Sequence, residues 1–316
     1  MTAHAAAAFL VAAGLVPAGA SRLGPDAALT GAATDADAAA GDVAWASQKG
    51  LAARPDRLAA FAGALVVVPA AADAARVPAT ATVVPAADPK VAFSVLAGHL
   101  FPDLLSAGWP GHADAPVAPD AQIGRGVVLA HGVVLGAGVV LEDGVRVGPN
   151  TCLAHTTVEA GAEIGANCSV GLPGFGYARR ADGSLLRFPH LGRVRIARGA
   201  SVGSNTCIDR GSLGTTVVGA GARLDNLVHV AHNVEIGAGA LVIAHAMIGG
   251  SSVIGARAWI APSAAVIDHV SVGADAVVGM GAVVTRPVEA GAVVVGSPAR
   301  PLPPRPPGPR PPGPRP

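Results

Sequence analysis

Histidine is the side chain that most readily takes up and returns a proton near neutral pH. Four of the chain's ten histidines fall between residues 229 and 269, namely His229, His232, His245 and His269. His232 lies two residues after the aliphatic Val230, which predicts an outward side chain near a turn. An imidazole in that position could act as a general base, and Asp225 could orient it. A surface histidine without a chemical role is the alternative that this spacing leaves open.

The same histidines could instead bind zinc, as in solenoid enzymes where three histidines converge between subunits. His232 and His269 are 37 residues apart, close to two turns of such a solenoid. A third ligand five residues beyond either would fall at Gly237 or Ala274, and neither can bind a metal. The remaining histidines are possible ligands, but the spacing favours a site without a metal ion.

A six-residue repeat indicates the elements that must position these side chains. An aliphatic residue occurs at every sixth position from residue 218 to residue 284, and an earlier run covers residues 123–153. This period fits neither an α-helix nor an alternating strand and is typical of a hexapeptide-repeat solenoid, here with roughly seven or eight triangular coils. The predicted fold class is mainly β, a left-handed parallel β-helix with a small N-terminal α/β domain.

Composition and the repeat divide the chain into segments. Residues 1–107 lack the period and predict an α/β domain, and the proline-containing residues 108–117 predict a linker. Residues 118–302 form the β-helix domain, and the Pro/Arg repeat at 303–316 predicts an extended, disordered tail. The period is lost at residues 171–193, so this segment is expected to project as a loop that carries binding.

Charge and apolar content limit the partners. The 316 residues carry a net charge of +1, which gives no argument for binding nucleic acid. The first 21 residues include an apolar stretch, but no Lys or Arg precedes it, which favours a buried helix over a secretory signal. Three cysteines without paired spacing are consistent with a cytoplasmic protein. At most peripheral contact with a membrane is expected.

Several motifs resemble a known family. They are Gly174-Phe175-Gly176-Tyr177, Ile208-Asp209-Arg210-Gly211, Asp225-Asn226 and Ala231-His232-Asn233-Val234-Glu235-Ile236-Gly237. In this order they resemble the UDP-3-O-(3-hydroxyacyl)glucosamine N-acyltransferases of lipid A and lipopolysaccharide synthesis, the LpxD type of hexapeptide-repeat acyltransferase. Gly41-Asp42-Val43-Ala44-Trp45 also resembles the uridine-binding domain of that family, so the resemblance extends to about residue 302.

The resemblance implies a reaction and catalytic roles. A 3-hydroxyacyl chain would pass from the phosphopantetheine arm of acyl carrier protein to the 2-amine of a UDP-linked 3-O-acylated glucosamine, without another cofactor. His232 would be the general base, and the backbone N–H of Gly250 would stabilise the oxyanion. His269 would lie near the reacting centre, and Asp225 would support the site. A homotrimer is implied, because threefold packing of a three-sided prism buries the groove between subunits.

The resemblance also implies substrate contacts. Trp45 would stack on uracil, and Gln48 takes the place of an asparagine that the family usually has nearby. Asn226 would position the substrate, while Phe175 and Tyr177 would line the sugar or acyl path. Two further residues depart from the usual pattern: His229 stands where glutamine is more common, and Ala282 could leave room for a longer acyl chain.

Two other functions remain open at this point. One is N-acetylation of a nucleotide sugar from acetyl-CoA, since the ending Val295-Gly296-Ser297-Pro298-Ala299-Arg300-Pro301 is common to such solenoids as well. The other is a solenoid that acts as a scaffold or as a metal-dependent hydratase.

Overall fold

The computed structural model describes residues 1–33, 37–53, 55–102 and 117–301. The linker predicted at residues 108–117, apart from Val117, lies outside the described residues. So does the tail predicted at residues 303–316.

The N-terminal part is a small layer of helices on a parallel sheet. The sheet contains, in spatial order, β1 (Gly31–Ala32), β2 (Asp42–Trp45), β3 (Leu65–Pro69) and β4 (Thr82–Ala86). The helices are α1 (Ala3–Ala12), α2 (Gln48–Ala53) and α3 (Pro89–Leu100), with short 3-10 helices at Pro55–Ala60 and Ala74–Arg76. Every residue of β3 is buried, as expected for a parallel strand covered on both faces.

The apolar N-terminus forms the predicted buried helix. α1 buries Ala3, Ala6, Ala7 and Leu10 in one apolar cluster with residues of α3 and the sheet. Among the described residues, no helix combines the length and the apolar character that crossing a bilayer needs.

The rest of the described chain winds into a parallel β-helix with three faces. One face contains the strands Val134–Leu135, Cys152–Leu153, Ser169–Pro173, Cys207–Arg210, His229–Val230, Met247–Ile248, Ala265–Val266 and Val283–Val284. The second contains Gln122–Ile123, Val140–Leu141, Thr156–Val158, Arg193–Ile196, Thr215–Val218, Glu235–Ile236, Val253–Ile254 and Ser271–Val272. The third contains Val128–Leu129, Arg146–Val147, Glu163–Ile164, Ser201–Val202, Arg223–Leu224, Leu241–Val242, Trp259–Ile260, Val277–Val278, Val293–Val295 and the antiparallel Arg300–Pro301. The predicted fold class is confirmed.

The six-residue repeat determines which side chains enter the core. Most strands have two residues, and the second, such as Ile236, points inward and is buried. The corners contain residues with a left-handed backbone, for example Asn233, Ser251 and His269 with φ of 60°, 59° and 58°. Asparagine tolerates this backbone conformation better than most residues. Stacked aliphatic side chains therefore fill a narrow interior that leaves little room for aromatic rings.

The excursion at residues 171–193, predicted as a loop, leaves the coils and contains a short hairpin. Its first residues extend the strand Ser169–Pro173, and an antiparallel hairpin of Tyr177–Arg179 and Leu185–Arg187 follows. The Lys90 ammonium of α3 donates a hydrogen bond to the Tyr177 carbonyl at 3.1 Å. The hairpin thus contacts the N-terminal layer, while residues 179–185 around its turn are exposed to solvent.

Phe188 anchors this contact. It is 6% exposed and belongs to the same apolar cluster as α1 and α3. Its ring centroid lies 5.7 Å from that of Phe93 in a stacked arrangement, and the Lys90 ammonium lies 5.2 Å above the ring. Burying a phenylalanine typically contributes about 1.5–3 kcal/mol, which is enough to hold a short hairpin in place.

The alternation of inward and outward residues can be tested within one strand. Ile236→Ala should lower the free energy of unfolding by about 2–5 kcal/mol, because it leaves a cavity between stacked coils. Glu235→Ala, at the exposed position of the same strand, should change it by less than about 0.5 kcal/mol. Urea denaturation followed by circular dichroism measures both, and equal losses would contradict the assigned register.

Candidate active site

The half-buried His232 has a fixed orientation. Its Nδ1 lies 3.1 Å from the Oδ1 of Asn233. The Asn233 amide nitrogen donates to the Leu213 carbonyl, and its Oδ1 also accepts the Ser212 N–H at 2.9 Å. Because these contacts fix which amide atom is oxygen, the Nδ1 of His232 is the protonated nitrogen. The Nε2 of a neutral His232 then carries a free lone pair, as a general base requires.

Gly250 lies against the His232 ring. A Cβ added at Gly250 would be 2.8 Å from Cε1 and 2.9 Å from Nε2 of that imidazole. The next residue, Ser251, donates its N–H to the His232 carbonyl at 2.9 Å. Within the described chain the N–H of Gly250 donates no hydrogen bond. A donor and a base therefore lie side by side on consecutive coils.

His269 follows on the next coil. Its N–H donates to the Gly250 carbonyl at 2.9 Å. Its side chain is 73% exposed and lies 4.0 Å from the carboxylate of Asp268. The structure thus brings His232, Gly250 and His269 to one corner of the solenoid.

The prediction that Asp225 orients His232 is wrong. One carboxylate oxygen of Asp225 accepts the Asn226 N–H at 2.7 Å, and the other accepts the Ala244 N–H at 3.2 Å. Asp225 therefore fixes a turn between coils. Spacing along the chain could not reveal this, because the direction of a corner side chain depends on its own backbone.

Asp209 is the carboxylate near His232. Its strand pairs Ile208 with Val230, so Asp209 lies on the coil next to the one that carries His232. Its Oδ2 is 3.9 Å from the Nε2 of His229, whose side chain is 46% exposed. Burial raises the pKa of Asp209, and the charges of His229 and His232 oppose that rise. A carboxylate in this place can stabilise a protonated imidazole.

His190 is a site residue that sequence analysis did not single out. It lies near the end of the excursion, is 1% exposed, and its ring centroid is 5.6 Å from that of His232. Its Nδ1 is 3.0 Å from the carbonyl of Phe188. Burial, with a smaller contribution from His232, lowers the pKa of His190 to about 4. Its position in the segment that breaks the repeat was the available signal.

A row of rings connects the N-terminal layer to His232. The Trp45 and Phe188 centroids are 6.1 Å apart, and those of Phe188 and His190 are 6.4 Å apart. Trp45 is half-buried at the end of β2. The residue expected to stack on uracil is thus joined by ring contacts to the candidate base.

The other predicted substrate contacts lie at the surface. Phe175 is 87% exposed, and its ring is 5.0 Å from that of Tyr177, which is partly exposed. Gln48 is exposed at the first position of α2. These side chains are available to a ligand, but no contact with His232 connects them to the base.

Two of the predicted contacts have structural roles. The Oδ1 of Asn226 accepts the Ser204 N–H at 2.7 Å, so this amide holds a corner between coils. Ala282 is fully buried in the solenoid core, whereas the nearby Met280 is 75% exposed. The six-residue period directs the Ala282 side chain inward, and room for a longer acyl chain beside it stays a prediction.

Metal-binding residue types do not cluster in the described part of the chain. Within it, no group of three or more His, Cys, Asp or Glu side chains could hold a metal ion.

Comparisons with known proteins bear on this site. No family model matches the chain. A UDP-3-O-acylglucosamine N-acyltransferase of Caulobacter vibrioides (strain NA1000 / CB15N) is 43% identical over 157 residues, 50% of this chain and 46% of the relative. One from Caulobacter sp. (strain K31) is 35% identical over 153 residues, 48% of this chain and 45% of the relative. The predicted resemblance is confirmed. The chain spans less than half the length of these N-acyltransferases.

A solved structure supports the fold. The crystal structure of a UDP-N-acetylglucosamine acyltransferase aligns with a TM-score of 0.50 at 20% identity, covering 60% of this chain and 72% of that one. At this identity the likeness shows the shared β-helix fold alone.

The buried His190 should make the fold sensitive to acid. The folded chain keeps His190 neutral down to about pH 4, whereas the unfolded chain protonates it near its ordinary pKa of 6.5. The unfolded state therefore binds more protons in this window, and stability falls as the pH drops through it. The free energy of unfolding of His190→Phe, relative to that of the native chain, should therefore rise by on the order of 2–3 kcal/mol as the pH falls from 7 to 4.

Denaturant titrations at both pH values measure this gain. Phe188→Leu, which changes the same packing without removing a titratable group, is the control and should show a constant difference. If the difference in unfolding free energy between His190→Phe and the native chain were also the same at both pH values, the burial of a neutral imidazole would be contradicted.

Proposed function

We propose that this chain transfers a 3-hydroxyacyl group from acyl carrier protein to the 2-amine of UDP-3-O-(3-hydroxyacyl)glucosamine, a step of lipid A biosynthesis. The observation that carries the proposal is the His232 imidazole, held through Nδ1 by Asn233 with Nε2 free beside Gly250. The names of the relatives supply the substrate class and the reaction.

The chemistry uses groups at this corner. The glucosamine amine attacks the thioester carbonyl carbon while His232 Nε2 takes the proton that the amine loses. The carbonyl oxygen becomes an oxyanion and accepts the Gly250 N–H, a contribution of about 3–4 kcal/mol in comparable sites. As the tetrahedral intermediate collapses, the carbon–sulfur bond breaks and the leaving thiolate takes the proton from His232. Asp209 and the Asn233 Oδ1 stabilise the transient imidazolium.

Binding of the substrates involves more distant residues. We assign the uracil stacking to Trp45 and a neighbouring polar contact to Gln48. Phe175 and Tyr177 are exposed aromatic surfaces for the sugar or an acyl chain. A homotrimer would place the corner with His232 in a groove between subunits, where the phosphopantetheine arm of the carrier protein would lie.

Removing the base tests the proposal. His232→Ala should lower turnover at least 100-fold, because general-base catalysis typically contributes about 10²–10⁴ in rate. The assay is mass spectrometry of products from UDP-3-O-(3-hydroxyacyl)glucosamine, with 3-hydroxyacyl carrier proteins of several chain lengths and with acetyl-CoA. His245→Asn, which removes an exposed histidine and keeps a residue that tolerates the backbone φ of 63°, is the matched control.

Three results would contradict the proposal. If His232→Ala kept more than a few per cent of the native activity, the assignment of His232 as the base would be wrong. An N-acetyl product formed only from acetyl-CoA would support a nucleotide-sugar N-acetyltransferase instead. Absence of product with every donor would remove the proposed reaction.

Gly250 offers a second test. In Gly250→Ala the new methyl group would meet the His232 ring at 2.8 Å, so the ring must move. Turnover should fall roughly 100-fold, as for other sites whose base or oxyanion donor is displaced. The melting temperature should change little, because the obstructing atoms belong to an outward side chain.

Gly237→Ala is the contrasting variant. There the added Cβ would meet the backbone of Gly255 and Ala256 at 2.7 Å or less, so stability should fall. The two variants separate damage to the site from damage to the coil stacking. Full activity in Gly250→Ala would contradict the placement of Gly250 at the reacting centre.

A further inference from the structure

The Nε2 atom of His190 is buried and has no hydrogen-bond partner among the described residues. The side chain is 1% exposed, so water does not replace the missing partner at the surface. A buried polar atom without a partner lowers stability, and natural chains keep few of them. Such an atom beside a candidate catalytic base points to a role during the reaction.

The contact at the other nitrogen defines the hydrogen-bonding character of this atom. The carbonyl of Phe188, 3.0 Å from Nδ1, can only accept a hydrogen bond, so Nδ1 carries the proton. The unpartnered Nε2 of the neutral ring is therefore an acceptor. Arg187 and Arg210 lie close enough to oppose a positive charge on this ring, and burial opposes it further.

The nearest titratable ring is that of His232, which meets His190 edge to face at 5.6 Å and 68°. Neutral His232 uses its N–H toward Asn233, so its Nε2 is also an acceptor. Two facing acceptors form no hydrogen bond, which accounts for the unpartnered atom of the resting site. Once His232 takes up a proton, its Nε2 becomes a donor next to a free acceptor.

We propose that His190 is a positioning residue for His232: its Nε2 accepts a hydrogen bond from protonated His232 and stabilises the imidazolium formed during acyl transfer. The inference rests on the proposed function. The proton moves from the amine to His232 and later to the thiolate, and His190 does not take it. The two ring centroids are 5.6 Å apart, and the pairing requires the two Nε2 atoms to come within hydrogen-bond distance.

Gly176 makes room for this arrangement. A Cβ at Gly176 would lie 3.0 Å from Cε1 of His190 and 3.5 Å from its Nε2. The other titratable groups near this pair are Asp209, on which the charges of His229 and His232 both act, and His229 itself. Neither touches His190, so variants of His190 leave their charges in place.

The test is a titration of His232 in the full chain by NMR, with labelled histidine and with the signal assigned through His232→Ala. His190→Phe and His190→Asn both remove the acceptor at the position of Nε2, because phenylalanine has none and the shorter asparagine does not reach it. Asparagine keeps an N–H donor for the Phe188 carbonyl. The His232 titration midpoint should move to lower pH by about one unit, a tenfold loss of proton affinity. In His190→Gln an amide oxygen reaches the position of Nε2, so the midpoint of the His232 titration should return most of the way to its value in the native chain.

Steady-state kinetics provide the second measurement. Both variants without an acceptor should lower kcat about tenfold and change KM less than about twofold, because the contact forms only after proton transfer. The acid limb of the pH–rate profile should follow the NMR midpoint. His155→Asn, which removes another buried histidine, is the control and should change neither the His232 titration midpoint nor kcat.

The outcomes separate this inference from the proposed function. An unchanged His232 midpoint in a folded His190→Asn or His190→Phe protein would overturn the inference, whatever the activity. A shifted midpoint with restoration by glutamine would support the pairing even if no acyl donor gave product, because the titration needs no substrate. Loss of stability with an unchanged midpoint would assign His190 a structural role only.

Discussion

The backbone hydrogen bonds between coils are the constraint on which the rest of this structure depends. Each short strand must pair with the strand above and the strand below, so residues that are one coil apart in sequence are held next to each other. Asn233, Ser251 and His269 share a corner and nearly the same φ for this reason. The alignment places Gly250 against the ring of His232 and leaves the Gly250 N–H without an acceptor in the described chain. The proposed general base and the proposed oxyanion donor therefore lie together because of the same pairing that builds the fold.

A second contribution comes from a segment that the repeat does not include. Phe188 enters the apolar cluster of the N-terminal layer, and this burial fixes the end of the excursion on the solenoid. His190 is two residues further along, so the anchor also fixes the ring that meets His232. Trp45, at the end of β2 in the N-terminal layer, touches the same phenylalanine. The N-terminal layer and the candidate base are thus coupled through packing, and a ligand held near Trp45 would bind close to the element that supports His232.

At three glycines the backbone comes close to a polar side chain of the site. A Cβ at Gly174 would fall 2.5 Å from Asp209, one at Gly176 would fall 3.0 Å from His190, and one at Gly250 would fall 2.8 Å from His232. Backbone therefore comes close to each of these side chains. Burial raises the pKa of Asp209 and lowers that of His190. A neutral acceptor and a buried carboxylate thus lie near the imidazole that takes up the proton in the proposed reaction.

The sequence by itself determined the β-helix and the inward and outward positions of its strands, because a six-residue period is a local property that fixes how coils stack. The place of His232 beside an inward valine made it a candidate base, and the family resemblance added Gly250 and His269. The tertiary structure decided what lies around them. Asp209 takes the place expected for Asp225, since the direction of a corner side chain depends on its own turn. His190 reaches His232 only because Phe188 docks on a distant layer, and packing between segments far apart in the chain leaves no periodic trace.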